Sequence, residues 1–287
     1  MIDFCLAELK KDPALFLTSN DGYYDGPMQR GKIRAARLAA EESFRLIVRT
    51  GSAGANLEEV LRQAERAGAT GLEVDLLDGR DAAGWIPEKA AVMPKTAYDK
   101  QEFAALLRRI RARGLKVSIV RCLDVTGDGF ERALAAAKAL EAEALVAPLT
   151  GSPVLLASRA RLAEKAGLKM LFENVAIASA AAAELLKPLA GQAWLAFNPA
   201  NFAAAGEMPF LQSFRAVKKF IRYLAITDMY PLGVAALPGT GAGEVKELLS
   251  ILRCSRFDGY ISLGAAPGSG LRQADMTDAF YRLLDAC

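Results

Sequence analysis

The sequence predicts an α/β fold: a closed (β/α)8 TIM barrel preceded by an N-terminal helical extension. Three observations carry this. From residue 44 onward, short apolar runs alternate eight times with longer helical patterns, at a period of roughly 30 residues. The strand runs are apolar throughout, as in parallel strands buried on both faces. A chain of 287 residues with 52% apolar and 24% charged content suits one barrel with a sizeable core. A doubly wound open sheet is the alternative. Its GxGxxG phosphate turn is missing, because the first strand runs into TGSAGAN.

The elements follow in order. Residues 1–43 form the extension, with the turn-rich SNDGYYDGP and then the basic helical stretch MQRGKIRAARLAAEES. Its stripe of Arg30, Lys32, Arg34 and Arg37 reads as a solvated helix face, with anion or partner contact as the alternative. The extension is expected to pack on the barrel bottom or on a partner subunit. Residues 44–287 form the barrel. Phe44–Arg49 is the first strand, and Asn56 caps a helix that stops at Gly68. Gly71–Leu77 is the second strand. Asp99–Gly114 carries an acidic start, a basic end and a terminal glycine, the signals of a helix. Lys116–Cys122 is the third strand, followed by a helix over GFERALAAAKALEA. EALVAP, KMLFEN and Ala193–Asn198 are strands four to six, separated by helices over LLASRARLAEKAG and Ser179–Leu189. Helix Phe210–Phe220 leads to strand seven, Arg222–Asp228. Helix Gly243–Cys254 leads to strand eight, Tyr260–Gly264, and Leu271–Ala286 closes the chain.

The chain contains no histidine. This excludes Ser-His-Asp and Cys-His hydrolases, HExxH zincins and Cys/His zinc fingers. Any chemistry must run on carboxylates, Lys, Tyr, Cys, Asn and Arg. The 36 basic and 33 acidic residues balance to +3, which gives no nucleic-acid footprint. Cysteines at 5, 122, 254 and 287 form no CxxC pair and read as reduced thiols of a cytoplasmic protein. No apolar run reaches the ~18 residues of a membrane span, and the N-terminus does not read as a signal peptide.

Active sites of such barrels lie at the C-terminal ends of the strands. That rule selects Arg49, Glu73, Asp75, Arg121, Asp124, Glu173, Asn174, Asn198, Asn201, Asp228, Tyr230 and Gly264. A carboxylate closing an apolar strand is costly unless paired or wet, which singles out Glu173 and Asp228. Glu173 is the candidate catalytic base. Arg49, Glu73, Arg121, Asn198, Asn201, Asp228 and Tyr230 are the candidate substrate-binding residues. Arg49 and Arg121 either neutralise the acids or grip an anionic substrate bidentately. Trp85, Tyr98 and Tyr230 either stack on a sugar ring or pack, and loop 78–98 is long enough to be a lid.

The pieces FEN at 172–174, FNPANF at 197–202, AITD at 225–228, LPGTGAGEV at 237–245 and FDGYISLG at 257–264 resemble the xylose-isomerase-like sugar phosphate isomerase/epimerase superfamily. The resemblance covers residues 44–287. It implies a TIM barrel whose divalent ion (Mn, Mg, Co or Zn) is held by Glu, Asp, His and Glu, the two glutamates moving a proton beside a sugar carbonyl. Glu173 matches the first of these glutamates. Asn198 stands where the family has Asp, and Asn201 where it has His or Asn. Ala225, Ile226 and Thr227 replace the strand-seven imidazoles before Asp228, and Gly264 stands at the second glutamate.

The resemblance therefore implies isomerase or epimerase ancestry with most metal ligands replaced. No cofactor is expected. A weakly held Mg2+ or Mn2+ on Glu173, Asn198 and Asp228 is the one form metal binding would take. The expected ligand is a small carbohydrate or an anion, with no nucleic acid and no membrane. A homodimer is expected by analogy with barrels of this kind. The alternative function is a non-catalytic barrel that binds a ligand or a protein partner.

Overall fold

Eight parallel strands close on themselves in a computed structural model of the chain, which describes residues 27–53, 57–77, 80–81, 100–122, 129–264 and 269–287. They are β1 (Arg45–Arg49), β2 (Gly71–Leu77), β3 (Lys116–Cys122), β4 (Ala144–Pro148), β5 (Lys169–Glu173), β6 (Ala193–Phe197), β7 (Ile221–Ile226) and β8 (Tyr260–Leu263). Each strand pairs with its neighbours in sequence, and β8 pairs back onto β1, so the parallel sheet closes as a (β/α)8 barrel. The strands lie where the apolar runs predict them. Strand seven differs at its end: the barrel strand stops at Ile226, and Asp228–Met229 turns out to pair antiparallel with Ala235–Ala236.

The outer layer comprises α1 (Pro27–Glu41), α2 (Leu57–Ala67), α3 (Lys100–Ala112), α4 (Gly129–Ala139), α5 (Pro153–Lys165), α6 (Ser179–Leu186), α7 (Val245–Cys254) and α8 (Gln273–Asp285). In α2, Leu57, Val60, Leu61, Ala64 and Ala67 recur at helical spacing and are buried. Burying each large one contributes about 1.5–3 kcal/mol. The helix expected over Phe210–Phe220 is not a regular α-helix. It opens in a wide π turn over Pro209–Phe214 and tightens to a 3-10 turn over Lys218–Phe220. Pro209 starts it, and Glu244 accepts the backbone N–H of Phe210 at 2.7 Å. Among the described residues no helix is long and apolar enough to cross a membrane.

The barrel interior is apolar in the middle and ionic at both ends. Ile47, Ile119, Ala144, Val146, Leu171, Ala196, Tyr223, Ala225 and Tyr260 form the inner cluster, which mixes small alanines with large tyrosines. At the N-terminal end of the strands, Glu143 accepts Arg45 at 2.7 Å and the Tyr260 hydroxyl at 2.6 Å, and pairs with Lys116. The Arg45 guanidinium lies 3.9 Å above the Tyr260 ring. Burial pushes the Glu143 carboxyl up. The hydrogen bonds from Lys116 and Tyr260, and the charges of Lys116 and Arg45, outweigh it and hold it below the usual range.

Helix α1, the described part of the extension, packs on its own barrel. Arg34 pairs with Asp278 at 2.9 Å, donates to the Arg66 carbonyl at 3.2 Å and lies 4.4 Å above the Tyr281 ring. Arg37 pairs with Glu41 and Asp285. Two members of the basic stripe thus dock α1 on α2 and α8 rather than lying solvated. The helices approach closely at Gly31, where a Cβ would sit 2.0 Å from the Glu65 carbonyl oxygen.

Two outcomes follow from these contacts. Gly31→Ala should destabilise the chain by about 1–3 kcal/mol by lifting α1 off α2; an unchanged urea midpoint would show that α1 carries no stability. A depressed carboxyl stabilises the fold above its ordinary value and loses that contribution as pH falls. The stability gap between wild type and Glu143→Gln should therefore be full above the ordinary glutamate value of 4.5 and close on acidification. Urea titrations across pH measure it, and a gap that widens on acidification would reverse the assignment.

Candidate functional site

Strand register assembles a charged cluster inside the C-terminal end of the barrel. Alternate residues of a strand share a face, so Glu73 and Asp75 of β2 both point inward. Arg49 of β1 lies in register with Glu73, and Arg121 of β3 with Asp75. Two acids are thereby placed between two arginines before any side chain is chosen. The Arg49 Nε donates to both Asp75 oxygens, at 2.9 and 2.8 Å. The Arg121 guanidinium reaches further. Its Nε donates to Glu73 Oε1 at 2.6 Å and lies 3.7 Å from Asp75 Oδ1. One Nη donates to Glu173 Oε2, and the other donates to the Tyr223 hydroxyl at 2.8 Å. Tyr223 in turn donates to Glu73 Oε2 at 2.9 Å, and Ser262 donates to the same oxygen.

Burial decides the protonation of this cluster. Arg121 is 2% exposed, and Glu73 and Asp75 are fully enclosed. Burial works against the Arg121 charge, but Glu173 and Glu73 hold its proton well above the ordinary range. Burial likewise pushes Glu73 up, and Arg121, Arg49 and the Ser262 hydroxyl bring it below the usual range. Asp75 is pushed up by burial, and the Glu73 charge adds to this despite Arg49. Burial and the Glu73 charge keep Tyr223 a neutral phenol, able to donate.

Glu173 ends β5 with both oxygens engaged. Oε2 accepts from Arg121 and Oε1 accepts from Asn198 Nδ2 at 2.8 Å. Asn198 presents its nitrogen because its Oδ1 is already taken, by the Thr227 hydroxyl at 2.7 Å and the Asn201 N–H at 3.3 Å. The second contact caps the short helix Pro199–Ala204. Asn174 fixes the turn by exchanging hydrogen bonds with the Asn198 backbone, at 2.9 and 2.7 Å.

Asp228 faces elsewhere. Its Oδ1 accepts the N–H groups of Met229 and Gly243 at 2.8 and 2.7 Å, and its Oδ2 those of Gly239 and Gly241 at 2.9 Å each. At Gly241 a Cβ would lie 2.3 Å from the Met229 carbonyl oxygen and 2.5 Å from Asp228. The glycines of LPGTGAGEV let the loop backbone wrap this carboxylate. Tyr230 is 45% exposed, with its hydroxyl 3.1 Å from Thr240.

Of the residues selected from sequence, the structure brings Arg49, Glu73, Arg121, Glu173 and Asn198 into one network. Asn201 joins through its backbone, and Asp228 and Tyr230 stand apart. Trp85, Tyr98, Asp124 and most of loop 78–98 lie outside the described residues. The network also takes in Asp75, which the strand-end rule selects, and Tyr223, Thr227 and Ser262, which it does not. Their signal was alternation: Tyr223, Ala225 and Thr227 are every second residue, and Ser262 pairs with Ala225 and Ile47. Among the described residues no three His, Cys, Asp or Glu side chains are arranged to hold one metal ion.

Asp228→Ala leaves four backbone donors without their acceptor and should cost about 3 kcal/mol. Asp228→Asn, keeping one oxygen, should fall between it and wild type in urea unfolding. Wild-type stability in the alanine variant would remove Asp228 from the loop's support.

No family model matches the sequence, and no curated protein matches it. Solved structures match its shape. A xylose isomerase domain protein from Planctomyces limnophilus aligns with a TM-score of 0.61 at 12% identity, covering 85% of this chain and 97% of that one. The probable 3-DHS dehydratase AsbF from Bacillus anthracis aligns with a TM-score of 0.61 at 13% identity, covering 84% and 99%. A sugar phosphate isomerase/epimerase from Parabacteroides distasonis aligns with a TM-score of 0.58 at 14% identity, covering 85% and 95%. The chain therefore shares the (β/α)8 barrel fold of these solved structures.

Proposed function

We propose that this chain binds a small carbohydrate-type ligand at the C-terminal mouth of the barrel, and that the metal site of the sugar isomerases it resembles is dismantled. One observation carries the reading: both oxygens of Glu173 are already hydrogen-bonded, to Arg121 and to Asn198. A hard dication needs free anionic oxygens. At the positions the resemblance marks, Glu173 offers none, Asn198 turns its nitrogen inward, and Asp228 is filled by four backbone N–H groups. The donor set does not fit the ion.

The same geometry favours binding over turnover. A general base must reach a substrate proton with a free oxygen, and both Glu173 oxygens are engaged, by Arg121 and by Asn198. Arg49, Glu173 and Asn198 keep some exposed surface, at 9%, 7% and 8%, while the residues beneath them do not. With Thr227 they form a floor of fixed donors and acceptors suited to sugar hydroxyls. A phosphate or carboxylate on the ligand would meet Arg49. Among the described residues Cys122, Cys254 and Cys287 form no disulfide, which fits a reducing, cytoplasmic setting.

A thermal-shift screen of neutral sugars, sugar phosphates and metals tests this. A sugar or sugar phosphate should raise Tm, and Asn198→Ala should remove the effect. Millimolar Mg2+ or Mn2+ should leave wild-type Tm unchanged. A metal-dependent rise that disappears in Glu173→Ala would overturn the dismantled site. Turnover of a hit that Glu173→Gln abolishes would make the chain an enzyme.

A further inference from the structure

We infer that the cavity between α1, α2 and α8 binds a phosphate group, free or carried by a small molecule, with the Arg66 guanidinium as its anchor. The cavity measures about 280 Å3 and is lined chiefly by Arg30, Arg34, Gln63, Arg66, Thr277 and Asp278. None of these residues belongs to the network at the barrel mouth. The inference is therefore independent of the ligand proposed there.

The pairing of charges points to an anion. Every acid on the three helices already has a basic partner: Glu41 and Asp285 with Arg37, Glu58 and Glu65 with Arg113, Glu59 with Arg62, Asp275 with Arg272 and Asp278 with Arg34. Arg34 and Asp278 balance each other at 2.9 Å, and Arg34 is fixed further by the Arg66 carbonyl and the Tyr281 ring. Arg66 is partly buried, and among the described residues its guanidinium meets no carboxylate. A cation drawn out of water in this way gains from a counter-ion. The neutral walls bring no negative charge. Gln63 Nε2 donates to Glu59 at 2.7 Å, and the Thr277 hydroxyl donates to the Gln273 carbonyl at 2.9 Å.

The donors suit phosphate better than carboxylate. A guanidinium fork takes two oxygens at once, and one fork fills a carboxylate. A phosphate has further oxygens, and Arg30 brings a second fork to the same cavity. With five N–H donors, a guanidinium can hold a protein partner and an anion together. Arg30, Ala274 and Asp278 are exposed, so the cavity is open to a ligand from solvent.

Inorganic phosphate and glycerol 3-phosphate, each compared with NaCl and sodium acetate of equal ionic strength, test this by thermal shift and calorimetric titration. Phosphate at about ten times its Kd should raise wild-type Tm by about 3 °C. Arg66→Ala should melt close to wild type without phosphate and bind it at least about tenfold more weakly. Asn198→Ala should keep the full effect. Tighter binding of glycerol 3-phosphate than of inorganic phosphate supports a phosphorylated small molecule as the ligand; equal binding supports free phosphate. No rise beyond that in NaCl, an equal rise in acetate, or an undiminished rise in Arg66→Ala overturns the proposal. A rise lost in Asn198→Ala but kept in Arg66→Ala places the phosphate at the barrel mouth and overturns it too, while leaving the mouth reading intact.

Discussion

The upper half of the barrel is organised around one buried guanidinium. Arg121 of β3 ties β2 through Glu73, β5 through Glu173 and β7 through Tyr223, and Ser262 of β8 joins through the shared Glu73 oxygen. Arginine suits this place because its planar fork offers several donors in fixed directions. Such a network is not a cheap source of stability, since taking charges out of water costs about as much as their attraction returns. What it supplies is geometry. Losing one partner leaves a buried charge unpaired, at about 3–5 kcal/mol, so alternative packings of these strands are penalised.

The two ends of the barrel solve one problem with different chemistry. The N-terminal end closes on Glu143, gripped by Arg45, Lys116 and Tyr260. The C-terminal end closes on Arg121, gripped by acids. Between them, among the described residues, the interior cluster is nine apolar or aromatic side chains of mixed size. The loop after β7 uses the chain's own charge again: Asp228 is the anion that its glycine backbone wraps. At both places where a ligand's charge could organise the structure, a side chain already does so. The fold is therefore retained while the chemistry resting on it is free to change.

Much of the fold was legible because each barrel strand is a continuous apolar run between helix signals, and that pattern has few other solutions. The ends were less legible. AITD reads as one strand ending in a carboxylate, but Asp228 leaves the barrel, where the N–H of Met229 and three glycine N–H groups of a later loop satisfy it. FLQSFRAVKKF reads as a helix, but Pro209 and the reach of Glu244 widen its first turn. The basic stripe of α1 reads as solvated, yet Arg34 and Arg37 meet acids some 240 residues away.

The sequence by itself determined the class of fold, the exclusion of histidine chemistry and the acids and arginines at the strand ends, because these depend on residue type and local period alone. Only the tertiary structure decided which acid meets which arginine. That choice is made by strand register, which sets Arg49 beside Glu73 and Arg121 beside Asp75, and by the length of a guanidinium that reaches past its register partner to Glu173. A candidate base became a paired carboxylate for that reason, and a candidate anion clamp became the cation on which the site is built.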